Sequence, residues 1–180
     1  MIAGGNMNLV ESPSPHFRPG RRAEIDTIVV HYISAVNLTP ADPFNLAQIL
    51  DLLSKPIEYI ADDGQRTSIR VSAHYLITRE GEIHKLVDEQ NVAWHAGISS
   101  LRGRHIDNSC NEFSIGIELM GGKNFTYTDE EYRALIELIR DIRSRYNIAR
   151  ENIVGHDLIA PGRKEDPGPH FDWNRVRAGV

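Results

Sequence analysis

The chain has 180 residues, the length of a single domain. A domain of this length buries roughly two-thirds of the surface of its unfolded chain. Its formal net charge of -5 and sequence pI of about 5.9 argue against a protein built to bind nucleic acid, although they are compatible with a local basic groove. The chain has one cysteine, Cys110, which excludes an internal disulfide. No apolar run is long enough to span a membrane, and residues 1–9 lack a secretory signal pattern. We therefore expect a cytoplasmic protein.

The first elements in chain order are an arm, a strand and a helix. Residues 1–22 are rich in Pro, Ser, Gly and Arg and predict an N-terminal arm lying over a domain formed by residues 23–180. The β-branched run Ile25–Tyr32 predicts a strand buried on both faces, with His31 at its carboxyl end. Asp42 as a cap and Pro43 in the first turn predict a helix that ends before Pro56.

The second half of the chain continues the alternation of strands and helices. Residues 73–78 and 83–87 predict a hairpin, and residues 113–119 predict a strand that carries Glu118 near its end. Thr128 and Glu131 form a capping-box pattern that begins a helix running to about residue 146. Residues 152–154 predict a short strand. The expected fold is therefore α/β (mixed α+β), one domain with a central mixed β-sheet flanked by helices.

Three polar residues close or directly follow apolar strands: His31, Glu118 and His156. Strand ends of one sheet lie together, so these side chains are expected to converge at one rim. With Asp166, the two imidazoles form a ligand set suited to catalytic zinc, which takes three protein ligands and leaves a fourth position open. The spacing matches no short local zinc signature such as H-E-x-x-H, and a lone histidine is more often structural.

The loop 155–169 (GHDLIAPGRKEDPGP) is rich in Pro and Gly, so its polar groups are held by a stiff, irregular backbone. The alternative is a solvated proline-rich turn. Together with residues 71–74 (VSAH), 93–97 (AWHAG), 114–118 (SIGIE) and 171–173 (FDW), this loop resembles the type-2 zinc N-acetylmuramoyl-L-alanine amidases, most closely the AmpD type that recycles anhydro-muropeptides. The resemblance covers about residues 25–173, in order, and implies the fold of the peptidoglycan recognition proteins.

The resemblance also implies roles for individual residues. It implies zinc bound by His31, His156 and Asp166, with Glu118 as the catalytic carboxylate and Lys164 as the residue that steadies the developing oxyanion. A positioned carboxylate and an ammonium agree with hydrolysis of an amide.

Substrate contacts implied by the resemblance are less sharply defined. Arg70 corresponds to an arginine that contacts the peptide carboxylate in AmpD-type relatives, and three further residues border the cleft in the family motifs: His74, Trp94 and His95. For those three, packing or support of the site is the alternative. The sequence departs from the family at Ser109, where relatives often carry a second arginine, and Arg102 and Arg104 are the candidates to replace it.

The leading hypothesis is a zinc enzyme that cuts the amide between N-acetylmuramic acid, in its 1,6-anhydro form, and L-alanine in cell-wall recycling. The alternatives are a lytic amidase acting on intact peptidoglycan and a non-catalytic peptidoglycan-binding module, against which the complete ligand set argues. We expect a monomer with a muropeptide or peptidoglycan substrate and with no nucleic-acid or membrane partner.

Overall fold

The computed structural model describes Met7 and residues 9–180. Within these residues the strands are β1 (Leu9–Glu11), β2 (Phe17–Arg18), β3 (Thr27–Ile33), β4 (Ile57–Ile60), β5 (Arg66–Ile69), β6 (Tyr75–Ile77), β7 (Ile83–Lys85), β8 (Val92–Ala93), β9 (Ser114–Met120) and β10 (Ile153–Gly155). The α-helices are α1 (Leu46–Ser54), α2 (Asp129–Arg145), α3 (His156–Ile159) and α4 (Trp173–Gly179).

The predicted central mixed sheet is confirmed. Six strands lie in the order β1-β7-β6-β9-β3-β10, and every neighbouring pair is parallel except the β6–β7 hairpin. Two small sheets, β2–β8 and β4–β5, lie outside it. No helix among the described residues is long and apolar enough to cross a membrane.

Alternation along the strands divides the core between the two faces of the sheet. Ile28 and Val30 of β3 and Ile117 of β9 pack with the apolar stripe of α2 and with α4 on one face. Val29 lies on the opposite face, with Phe113 and Val154. The predicted strand buried on both faces is therefore present, as residues 27–33.

His31 shares the parity of Val29, so its side chain leaves the sheet on the face away from α2. It is paired in register with Glu118 of the adjacent parallel strand β9. On the other side of β3, the parallel strand β10 ends at Gly155 and is followed directly by His156 at the start of α3. Three candidate residues thus lie near the carboxyl ends of three adjacent strands.

The predicted start of the first helix is wrong. Helix α1 begins at Leu46, capped by Asn45, whose side chain accepts a hydrogen bond from the Gln48 N–H at 3.1 Å. Asp42 instead accepts a bond from the Asn45 amide at 2.9 Å, so the carboxylate stabilises the cap residue rather than the helix. The apolar face of this helix packs on the core through Ile49 and Leu53.

The segment predicted as an N-terminal arm lies on the domain where it is described. Strand β1 extends the main sheet by pairing with β7, and β2 pairs with β8. Arg21 enters the core and donates to the carbonyls of Glu89, Glu112 and Ser114. Residues 1–6 and 8, which also belong to the predicted arm, lie outside the described residues.

Candidate active site

His31, His156 and Asp166 form a buried cluster that could hold a metal ion. His31 Nδ1 lies 3.0 Å from His156 Nδ1 and 2.9 Å from Asp166 Oδ2, and His156 Nδ1 lies 3.0 Å from the same carboxylate oxygen. Three potential ligand atoms therefore face one point, although their residues are separated by up to 135 positions in the chain.

The backbone around β10 brings the two later ligands together. A Cβ at Gly155 would lie 2.2 Å from Asp157 Oδ1 and 2.7 Å from Pro167 Cδ, so only glycine allows the loop to fold back here. The Asp157 N–H then donates to the Asp166 carbonyl at 3.0 Å, which fixes the loop carrying the carboxylate against the start of α3.

The hydrogen bonds on the far side of each imidazole show that this cluster fits a cation. His156 Nε2 donates to the carbonyl of Ala96 at 3.0 Å, since a carbonyl only accepts, and the neutral ring then has an unprotonated Nδ1. His31 Nε2 donates to His95 Nδ1 at 2.9 Å, which leaves His31 Nδ1 unprotonated as well. Two lone pairs and a carboxylate oxygen facing one another repel unless a positive ion lies between them, and two imidazoles with one carboxylate suit zinc.

The electrostatic environment keeps these groups in their ligating forms. Burial lowers the pKa of His31 to about 4, although the neighbouring Asp166 carboxylate opposes the shift, so the imidazole is neutral at pH 7. Burial acts to raise the pKa of Asp166, but the adjacent His156 and His31 rings outweigh it and hold that pKa below its usual range. The carboxylate is therefore ionised.

A cavity of about 360 Å³ opens onto the cluster and contains both predicted catalytic residues. Its remaining walls mix apolar and polar side chains: Tyr32, Ile33, Leu53, Val71, Ser72, His95, Arg163 and Glu165. A larger cleft of about 1080 Å³ lies around Arg21 and Arg145, but it contains none of the cluster residues, and Arg21 is already engaged by backbone carbonyls. The smaller cavity is therefore the candidate active site.

Glu118 and Lys164 are placed differently within this cavity. Glu118 Oε2 is buried and has no hydrogen-bond partner among the described residues. Burial, together with the charge of Asp166, raises the pKa of Glu118 well above its usual range, while the ammonium of Lys164 opposes that shift. Lys164 is exposed to solvent at the cavity wall. A carboxylate and an ammonium thus lie beside the metal-ligand cluster.

The four residues predicted to bind substrate do not form one group. Arg70 is exposed and directly precedes Val71 of the cavity wall. Trp94 stacks on His16, with ring centroids 6.1 Å apart, and is not part of the cavity wall. His95 lines the cavity but is 92% buried, with both ring nitrogens hydrogen-bonded inside the protein.

His74 has no path to a substrate in this structure. It is fully buried, its Nδ1 accepts from the Gly116 N–H at 3.0 Å, and its Nε2 faces Asn91 O and Arg21. Burial, and then the charge of Arg21, lowers its pKa to about 3, so the ring is neutral. The alternative interpretation from the sequence, a packing role, fits this position.

Two arginines were considered as replacements for the arginine that relatives often carry where this chain has Ser109, and both lie away from the cavity. Arg104 pairs with Asp26, before the start of β3, and stacks on the Phe113 ring at 3.9 Å. Arg102 donates to Asn152 and Glu151 before the start of β10. Both guanidinium groups are therefore bound at the amino ends of strands, whereas the cavity lies at the carboxyl ends, and neither replaces the second arginine.

Sequence reasoning missed the groups that support the ligands. Arg163 donates to the carbonyls of Ala96 and Ile98, at 2.8 and 2.6 Å, and ties the 95–98 segment to the loop that carries Asp166. Ser114 was assigned only to a strand, yet its hydroxyl contacts His95 Nε2 at 3.2 Å. The sequence signal for Arg163 and Ser114 was their position inside the motif segments. The contacts of backbone carbonyls such as Ala96 O cannot be predicted from residue types.

Comparisons with known proteins agree with this geometry. A model of the N-acetylmuramoyl-L-alanine amidase family matches residues 21–169. The 1,6-anhydro-N-acetylmuramyl-L-alanine amidase AmpD of Salmonella typhimurium (strain SL1344) is 42% identical over 179 residues, covering 96% of this chain and 91% of that protein. The crystal structure of a Se-Met AmpD derivative aligns with a TM-score of 0.82 and 41% identity, over 98% of this chain and 97% of that one.

A second solved relative is the amidase AmiD from E. coli in complex with the substrate anhydro-N-acetylmuramic acid-L-Ala-D-gamma-Glu-L-Lys. It aligns with a TM-score of 0.67 and 34% identity, over 90% of this chain and 60% of that chain. The family resemblance and the fold expected from the motifs are confirmed. The chain belongs to the N-acetylmuramoyl-L-alanine amidase family and is an amidase of that family.

Proposed function

We propose that the protein is a zinc-dependent enzyme of cell-wall recycling that hydrolyses the amide bond between 1,6-anhydro-N-acetylmuramic acid and L-alanine in soluble peptidoglycan fragments. The observation that carries the proposal is the convergence of His31, His156 and Asp166 beside Glu118 and Lys164 in one cavity. The likeness to AmpD and to substrate-bound AmiD supports the choice of substrate.

His31 Nδ1, His156 Nδ1 and Asp166 Oδ2 would hold the zinc ion. Zinc in such a site polarises a scissile carbonyl and lowers the pKa of water toward about 7. With one carboxylate and two imidazoles as protein ligands, the ion would keep a fourth coordination position for water or substrate, as catalytic zinc does.

Glu118 is assigned the proton transfers. Its unpartnered Oε2 accepts a proton from the attacking water as the oxygen adds to the lactyl carbonyl, and then passes that proton to the nitrogen of L-alanine as the C–N bond breaks. A raised pKa suits a group that must first accept and then release a proton near neutral pH. The products are the muramic-acid carboxylate and the free peptide amine.

Lys164 is assigned the developing oxyanion. Its side chain lines the same cavity as His31 and Glu118, and its charge shifts the pKa of both, which supports a position of the ammonium near the tetrahedral oxygen. An ammonium in that position stabilises negative charge that is present in the transition state and absent from the bound amide. Arg70, which is exposed and directly precedes Val71 of the cavity wall, is assigned a carboxylate of the peptide.

The size of the cavity supports a small diffusing substrate. A volume of about 360 Å³ lies in the range of small-molecule sites, and Leu53 and Val71 supply an apolar wall for a short side chain. The acidic net charge gives the chain no general attraction to an anionic wall polymer. Cytoplasmic location, a monomeric state and the lack of nucleic-acid and membrane partners remain predictions within this proposal.

Elemental analysis of protein purified without added metal tests the zinc assignment. We expect one zinc per chain, loss of activity on chelation and recovery on addition of zinc. His31→Ala, His156→Ala and Asp166→Ala should each lose metal and activity together, whereas His105→Ala, which removes an exposed histidine, should lose neither. Substoichiometric zinc combined with full activity after chelation would contradict the assignment.

A further inference from the structure

The His95-Ala96 segment contacts both histidines of the cluster from behind. The His95 ring lies 2.9 Å from His31 Nε2, and the Ala96 carbonyl lies 3.0 Å from His156 Nε2. Resting on the zinc site proposed above, we propose that this segment sets the orientation of both imidazole ligands, and that His95 is a positioning residue for His31 rather than a substrate contact.

A chain of buried hydrogen bonds determines which nitrogen of His95 carries the proton. The Ser114 hydroxyl donates to the Cys110 carbonyl at 2.7 Å, so its oxygen is left to accept from His95 Nε2 at 3.2 Å. A neutral imidazole has a single N–H, and His95 Nδ1 is therefore an acceptor. His95 Nδ1 accepts a hydrogen bond from the N–H at His31 Nε2. The lone pair of His31 Nδ1 is then directed at the metal-ligand cluster.

Two further contacts fix the segment itself. The side-chain oxygen of Asn111 accepts from the backbone N–H groups of both His95 and Ala96, at 3.2 and 2.8 Å. The His95 ring packs flat on the sheet at Gly116, where a Cβ would come within 2.4 Å of the ring. The ring position thus depends on a glycine of β9, and the Ala96 carbonyl on an asparagine side chain.

The His95 ring lines the cavity, but the hydrogen bonds of the segment leave no ring nitrogen free to bind the substrate. His95 is 8% exposed, Ser114 and Ala96 are fully buried, and both His95 nitrogens are committed within the protein. Hydrogen bonds behind a ligating histidine orient the ring and raise its basicity, and their loss typically weakens metal binding by about 10- to 100-fold. The proposal therefore predicts that loss of these hydrogen bonds lowers the affinity for zinc, and that turnover falls as a consequence.

Zinc affinity measured by competition with a chromophoric chelator tests the proposal. His95→Phe keeps a ring on Gly116 but has no acceptor for His31, and we expect zinc to bind about 10- to 100-fold more weakly. His95→Asn places a carbonyl oxygen near the position of Nδ1 and should retain most of the affinity. The matched control His105→Phe replaces an exposed histidine outside the cavity wall and should bind zinc as the wild type does.

The outcomes separate this proposal from the proposed function. If the wild type binds no zinc, the zinc assignment fails; if the wild type and His95→Phe bind zinc equally, the positioning role alone is wrong. Nitrogen-15 NMR of the wild-type histidines, with and without zinc, tests the proposal even if the Phe variant does not fold. We expect the proton of His95 on Nε2 and that of His31 on Nε2, and a His95 protonated on Nδ1 would overturn the proposal.

Discussion

Glu118 combines three properties in one side chain: it lies opposite His31 in the parallel strand register, it lines the cavity, and its Oε2 lacks a partner among the described residues. A buried carboxylate without a hydrogen bond is costly to a fold, and such a group is retained where chemistry requires it. At the residue scale, the proposed mechanism depends first on this atom.

Glu118→Gln should keep zinc and fold but lose at least about a hundredfold in kcat, the usual contribution of a positioned acid or base. The amide preserves the shape of the side chain and cannot accept the proton. Steady-state kinetics with zinc content measured on the same samples checks this. Glu137→Gln, an exposed position on α2, is the control, and near-normal turnover of Glu118→Gln would show that the carboxylate is structural.

Lys164→Ala should lower kcat by about a hundredfold while KM changes little, because an oxyanion donor acts in the transition state more than in the ground state. The matched control is Lys85→Ala, which removes a lysine of β7, outside the cavity wall, that pairs with Asp88. A rise in KM with kcat unchanged would instead make Lys164 a substrate-binding residue.

Arg70→Ala should raise KM on the order of tenfold, because a hydrogen bond between charged groups contributes about 1.5–3 kcal/mol. The control is Arg66→Ala, which removes an exposed arginine that pairs with Glu58 on the β4–β5 hairpin, just before Arg70. Equal KM values for the two variants and the wild type would remove Arg70 from the binding site. No other arginine considered from the sequence compensates, since Arg102 and Arg104 are held elsewhere.

The convergence of the polar residues at the strand ends could be predicted from the sequence, because strand ends of one sheet lie together and each of these residues follows an apolar run. Asp166 lies in a loop, and only its ligand chemistry and the family motif pointed to it. The roles of Trp94 and His74 could not be separated in this way. A motif shows that residues belong to a site, but it does not show whether a ring faces the cavity or lies behind it. His74 lies behind it, because its Nδ1 accepts a hydrogen bond from the Gly116 N–H. That distinction depends on tertiary packing.

At the element scale, helix α2 shows the strongest agreement between pattern and structure. Thr128 caps the helix, and the capping box with Glu131 is present in both directions. Two local hydrogen bonds and an apolar stripe are enough to specify such a helix. Helix α1 begins three residues later than predicted, because Asp42-Pro43 and Asn45 both offer a cap and the local sequence does not decide between them.

Elements with few residues escaped sequence analysis. Strands β1, β2 and β8 have two or three residues each and exist only through their partners, so no periodicity identifies them. Helix α4 carried a usable signal, because Asp172 accepts from the Arg175 N–H and is an ordinary N-cap residue.

The buried capping carboxylate of α2 predicts a pH-dependent stability. Burial raises the pKa of Glu131 to about 7, although hydrogen bonds from Thr128 and the charge of Arg79 oppose the shift. A carboxyl whose folded pKa lies above its unfolded value contributes stability that is full at low pH and is lost as pH rises from about 4.5 to about 7.

Glu131→Gln keeps a capping acceptor and cannot ionise, so its stability relative to the wild type should increase with pH across that window, by at most about 3 kcal/mol. Urea unfolding at pH 5, 6, 7 and 8, with equal metal loading, gives the difference directly. Glu130→Gln, the exposed neighbour, should show no such trend. A difference that is constant or falls with pH would contradict the assignment of a raised pKa.

At the scale of the whole molecule, the sheet presents one face to α2 and α4 and carries the cavity on the other face. The described residues place all five proposed metal-binding and catalytic side chains within this single domain. The chain also spans 91% of the AmpD protein to which it is 42% identical. The small cavity and the acidic net charge of this domain fit a soluble muropeptide better than a polymeric wall.

The most direct test of the central claim is mass spectrometry of the products released from 1,6-anhydro-N-acetylmuramyl peptide and from purified sacculi, assayed side by side with the zinc-loaded enzyme. We predict release of the L-alanyl peptide with a free amine from the anhydro-muropeptide, at a rate well above that from sacculi, and no release by Glu118→Gln on the same timescale. Equal or faster digestion of sacculi would contradict the recycling function and favour a lytic amidase.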